Sequence, residues 1–157
     1  MHTLIRPAVF AAALAVVAPS MALAKPAVSP LNGTWKLNTA ASKFGSHPEA
    51  TETRVYDVKG NKVTLTSTGT DVAGKPIAYH YSAAYDGKWY PMVGNPVGDS
   101  ISLRLLNPRN IAAKVRKGPV ATSNATVVIS ADGKLLTLTR NYPGGKRATD
   151  VLVYDKQ

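Results

Sequence analysis

From Leu31 to the C-terminus, apolar residues recur at every second position, in short runs broken by Gly, Asn, Asp and Pro. A period of two, with side chains alternating between opposite faces, marks half-buried strands, and no stretch shows the 3.6-residue period of a helix. The pattern predicts an all-β chain of about ten strands, at 34–37, 51–59, 62–68, 76–85, 88–92, 100–106, 111–117, 121–130, 134–141 and 147–155.

The turns then fix which side chains share a face. With Asp132-Gly133 as a two-residue hairpin loop, Ile129 faces Leu136 and Val127 faces Leu138, while Thr126 and Thr139 fall on the other side. Gly60-Asn61 pairs Val58 with Val63 and Tyr56 with Leu65 in the same way. At Asn107-Pro108-Arg109-Asn110 a two-residue loop would set Leu103 beside Lys114. An odd-length loop or a bulge instead sets Leu103 beside Val115 and Arg104 beside Lys114, and leaves Arg104, Lys114 and Arg116 as an outward basic strip.

Sequential strands joined by tight turns, with no long crossover, favour an up-and-down antiparallel meander that removes its free edges by closing into a barrel. A two-sheet sandwich is the alternative. Barrels of eight to ten strands either hold one small ligand or fill their interior with side chains.

Ahead of the strands, Arg6 precedes an apolar run at residues 8–18 and the small-residue end Ala22-Leu23-Ala24. This is the pattern of a secretory signal peptide at 1–24 with a cut after Ala24. Residues 25–30, with Pro26 and Pro30, form a flexible arm, and 31–157 a single barrel domain. With no cysteine there is no disulfide, iron-sulfur cluster, cysteine zinc site or thiol-borne lipid anchor. No later stretch has the length of a transmembrane helix. The expected location is the periplasm or the medium. The 19 Lys and Arg against 9 Asp and Glu leave a formal charge of +10. In an exported protein that excess points to an anionic envelope surface, not nucleic acid, or simply to solubility and protected strand edges.

The opening strand, Gly33-Thr34-Trp35-Lys36-Leu37, resembles the G-x-W start of the calycins, the superfamily of lipocalins, avidins and fatty-acid-binding proteins. The closing Val153-Tyr154-Asp155-Lys156 is similar to the last strand of the fatty-acid-binding group, and Asp86-Gly87-Lys88-Trp89-Tyr90-Pro91 to a turn in small secreted bacterial lipocalin-like proteins. The resemblance implies a lipocalin-like barrel over about residues 31–156. It departs in two places. Leu152 stands where fatty-acid-binding proteins carry the Arg that clamps a ligand carboxylate, and residues 38–50, with Gly45 and Pro48, lack the helical lid. In lipocalins a late Arg packs on the opening tryptophan; the resemblance leaves Arg140 and Arg147 open for this.

Tyr79, Tyr81 and Tyr85 alternate onto one face of the fourth strand and, with Trp89 at the rim and Arg140, are the candidate ligand lining. Trp35 is the candidate plug of one barrel end, its N–H needing one acceptor. His47 and His80 stand alone, His80 on the face opposite the tyrosines, so no metal site is expected. There is no G-x-S-x-G elbow and no Gly-rich phosphate loop, and Glu49 and Glu52 lie together near the start of one strand. No catalytic residue and no cofactor are expected. The functional expectation is an exported barrel that binds a small apolar or amphipathic molecule in its interior. The alternative is a non-enzymatic envelope interaction protein with a filled barrel, using Arg104, Lys114 and Arg116 against an anionic surface.

Overall fold

The computed structural model describes residues 28–45, 49–145 and 147–157. The expected signal peptide, the first part of the expected arm and His47 lie outside the described residues. The strands are β1 (Gly33–Leu37), β2 (Glu49–Lys59), β3 (Lys62–Asp71), β4 (Pro76–Ala84), β5 (Asp86–Val93), β6 (Ser100–Asn107), β7 (Asn110–Lys117), β8 (Val120–Ile129), β9 (Leu135–Asn141) and β10 (Asp150–Lys156). Each pairs antiparallel with the next, and β1 pairs with β10 through Trp35–Lys156 and Leu37–Tyr154. The sheet is therefore a closed up-and-down barrel and not a sandwich. No helix occurs among the described residues.

Two hairpins have the register that their turn residues dictate. Val127 opposes Leu138 and Ile129 opposes Leu136, while Val58 opposes Val63 and Tyr56 opposes Leu65. Gly60 and Gly133 sit at φ 59° and 70°, in the left-handed region that such loops require. The β6–β7 connection also has the expected parity but a different offset. Asn107 opposes Asn110 while Leu105 already opposes Ile111, so Leu106 is bulged, and Leu103 lies beside Ala113 rather than Val115. Arg104 accordingly opposes Ala112, with Lys114 diagonal to it, and the polar strip still faces outward.

The two barrel ends are built differently. At one end the residues just ahead of β1 pack onto the barrel. Leu31 is buried, and the Asn32 side chain accepts from the Val58 N–H and donates to the Val58 carbonyl. Trp35 is wholly buried, and its Nε1–H donates to the Leu31 carbonyl at 2.8 Å. Lys156 lies over its ring at 4.9 Å and donates to the Pro30 carbonyl at 3.3 Å. The cation on the plug is thus Lys156; Arg140 is at the other end, and Arg147 stacks on Tyr142 at 5.5 Å. This end is closed by packing, with Val63, Ile129, Leu136, Leu152 and Leu103 extending the apolar core beneath it.

At the opposite end the chain leaves a mouth between the start of β2, the β3–β4 turn, the Gly94–Asp99 connection and the end of β9. The β1–β2 connection adds no helix in its described part; Lys43 bridges to Val151 and prolongs the pairing along β10.

Candidate ligand-binding site

The alternation of β2 continues inward from Val58 and Tyr56 to Arg54 and Glu52, so a strand with an apolar half carries an ion pair inside the barrel at its other half. Both side chains are almost wholly buried. Glu52 Oε1 accepts from Arg54 Nε at 2.9 Å, Ser67 Oγ at 2.6 Å and Tyr79 Oη at 3.0 Å. Its Oε2 accepts from Tyr154 Oη and from Arg54 Nη2 at 3.3 Å. The Arg54 guanidinium lies 4.8 Å from the Tyr154 ring centroid, which adds a cation–π contact. Burial disfavours the charged form of Glu52. Arg54 and the hydroxyls of Ser67 and Tyr154 outweigh that and hold the carboxyl at about 2. A buried pair of this kind survives because every lone pair has a donor.

Glu49 reaches the same interior through a β-bulge. It opposes Asp71, but Thr51 opposes Thr70, so Ala50 is the extra residue and the strand changes face. Gly69 permits this: a Cβ there would lie 2.0 Å from the Thr51 carbonyl oxygen. Glu49 and Glu52, three residues apart, therefore line one cavity.

Above the Glu52–Arg54 pair, Arg140 Nη1 lies 3.5 Å from Asp150 and 3.8 Å from Glu49. Asp150 is buried, accepting from Tyr142 Oη and from the Gly45 backbone N–H at 2.7 Å, which anchors the β1–β2 connection. Glu49 Oε2 is buried without a hydrogen-bond partner. Burial raises the Glu49 carboxyl above its ordinary value, against the pull of Arg140.

Glu49, Glu52, Tyr79 and Arg140 floor a cavity of about 490 Å³ at the open end, walled by Val72, Pro76, Ile77, Pro96 and Val97. The barrel interior below it retains only about 70 Å³, because Tyr56, Leu65, Tyr81, Met92, Leu103 and Leu138 fill it. The room for a ligand is at the mouth, not along the axis.

The candidate residues separate accordingly. Tyr79, Tyr81 and Tyr85 do project inward, with His80 exposed on the other face, but Tyr79 alone of the three borders the mouth cavity. Tyr81 and Tyr85 border the small inner space. Arg140 borders both. Trp89 belongs to neither: β5 turns it outward, where the Arg116 guanidinium stacks on it at 4.4 Å. That contact also removes Arg116 from a freely exposed basic strip, leaving Arg104 and Lys114 exposed. Sequence reading missed Glu52, Arg54, Ser67, Asp150 and Tyr154 as a group. The signal was present in the period of two: counting back from Tyr56 puts Arg54 and Glu52 on the core face. Among the described residues, no three His, Cys, Asp or Glu converge as a metal site.

No protein-family model matches the sequence, and no curated protein matches it. Among solved structures, that of EF1p2_mFAP2b bound to DFHBI is similar at 10% identity, covering 82% of this chain and 94% of that chain, with a TM-score of 0.44. The chemistry of the site rests on its own residues.

Proposed function

We propose that the protein is an exported, calycin-like binding module that holds one small amphipathic molecule in the open end of its barrel. The observation that carries this reading is the mouth cavity, whose volume falls within the ~300–1,000 Å³ of small-molecule sites and whose lining divides into an apolar wall and a polar floor. The apolar body of the ligand lies against Ile77, Val97, Pro96 and Val72, where each Å² removed from water contributes roughly 25 cal/mol. Its polar end meets Glu49, Tyr79 and Arg140. Export is supported by the leader-like residues 1–24, and the calycin reading by the Trp35 plug and the closing strand at Tyr154.

A binding role is favoured over catalysis by the state of Glu52. A carboxylate engaged by five donors and held at about 2 is a poor general base near neutral pH. Native mass spectrometry of the protein with eight- to twelve-carbon amphiphiles tests the reading. The expected result is a one-to-one complex and a raised Tm, both lost in the cavity-filling variants Ile77→Trp and Val97→Trp. Absence of bound mass across the panel, or unchanged binding in both folded variants, contradicts it.

A further inference from the structure

Resting on that reading, we propose that the mouth cavity selects an amphipathic amine, its ammonium group donating to Glu49 Oε2 and its apolar body lying along Ile77 and Val97. The inference follows from the distribution of charge on the floor. Arg54 is consumed by Glu52 beneath the cavity, and the remaining acceptor capacity of Glu52 by Ser67, Tyr79 and Tyr154. Arg140 stands between two carboxylates, Glu49 and Asp150. At the rim, Lys75 is accompanied by Asp71. Of the charged residues that line the cavity, Glu49, Glu52 and Asp71 outnumber Arg140 and Lys75, and neither Arg140 nor Arg54 beneath it lacks a carboxylate neighbour.

An anionic headgroup entering this floor meets surplus negative charge in a partly desolvated site, which is costly. A donor-bearing cation meets the opposite. Glu49 borders the cavity with its Oε2 buried and without a hydrogen-bond partner, and Arg140 approaches the sister oxygen no closer than 3.8 Å. A buried acceptor left unmade is the group from which a ligand donor gains most. The groups facing Glu49 are Arg140 on β9, Glu52 and Arg54 on its own strand, Asp71 opposite on β3, and Asp150 beyond Arg140 on β10. Burial raises its carboxyl, Arg140 and Arg54 oppose that and Glu52 reinforces it. The arrangement is the reverse of a carboxylate clamp.

The experiment compares octylamine, octanol and octanoate, equal in tail and different in head, by calorimetric titration of the full chain at near-neutral pH and low salt, below their aggregation thresholds. The expected order is octylamine tightest, with octanoate at least tenfold weaker. Glu49→Gln should abolish the amine's advantage, so that octylamine and octanol bind that variant within about twofold of each other. Octanoate binding as tightly as octylamine, or an undiminished amine preference in Glu49→Gln, overturns the inference and leaves the cavity standing as a binding site. Failure of all three to bind overturns it together with the reading on which it rests. The wild-type series decides the matter should Glu49→Gln not fold.

Discussion

The two ends of this barrel solve the same problem, how to terminate a cylinder of strands, by opposite means. The end nearest the start of β1 is stoppered by Trp35 and Leu31, with the Lys156 ammonium over the indole and one directed hydrogen bond to orient it. The other end is floored by Glu49, Glu52 and Arg140, with Arg54 and Asp150 paired behind them, and remains open. Packing gives a seal that depends on shape. A floor of paired charges gives less net stability, but it presents hydrogen-bonding groups at fixed positions beneath an apolar wall, which is what recognition of a small molecule requires.

The sharpest way to break this comparison is to remove one residue from each end. Trp35→Ala and Glu52→Ala should each cost about 3–5 kcal/mol in chemical denaturation, the first by leaving a cavity and the second by leaving Arg54 buried and unpaired. The difference lies in rescue. Adding Arg54→Met to Glu52→Leu should recover most of the loss, whereas no single partner change should restore Trp35→Ala. A double variant no more stable than Glu52→Ala would show that the pair is not the organising feature of that end.

Acid should act through the open half. Glu52 is held at about 2 from an ordinary 4.5, so its charged form stabilises the fold. That contribution is complete above 4.5 and is lost as pH falls through about 2, on the order of 3 kcal/mol. Glu49 has the opposite sign: its carboxyl is raised, so its contribution favours folding at low pH and is lost as pH rises through its folded value. Glu49→Gln should therefore be more stable than the parent at neutral pH and should steepen the acid side of the profile. Denaturation midpoints between pH 2 and pH 8 check both signs.

A smaller loss is expected for Gly69→Ala, about 1–3 kcal/mol, since the new Cβ lands 2.0 Å from the Thr51 carbonyl oxygen and forces the bulge to shift. Its ligand affinity should fall as well, because the bulge is what brings Glu49 to the same side as Glu52. The smallest effect belongs to neither end. Arg116→Ala removes a stacking contact on the outer wall and should cost about 0.5–1 kcal/mol, with ligand binding untouched.

The fold was largely legible because turn chemistry and alternation agree. Asp132-Gly133 and Gly60-Asn61 fix the registers of β8–β9 and β2–β3, and the regular spacing of strands leaves a meander as the simplest topology. The β6–β7 register was legible in parity only, because a bulge can absorb one residue at several places and Leu106, exposed, carries no signal of which. The site was less legible for a physical reason. A charged residue in a half-buried strand is normally assigned to water, and Arg54 and Glu52 defy this only because each neutralises the other and Ser67, Tyr79 and Tyr154 supply the remaining bonds. Those partners come from β3, β4 and β10, so their convergence depends on closure of the barrel. The bulge at Ala50, which brings Glu49 inward, is announced only by a glycine on the neighbouring strand. Trp89 was misleading for the converse reason: its large apolar face found cover from Arg116 outside the barrel.

The proposed binding place is the open end, and not the axis or the outer wall. Backbone amide chemical shifts of the labelled protein titrated with octylamine test it most directly. The largest changes are expected at Glu49, Glu52, Ile77, Gly94, Asn95 and Val97, with Leu31, Trp35, Gly60 and Gly133 unmoved. Changes centred on Trp89 and Arg116, or on the Trp35 end, would contradict it.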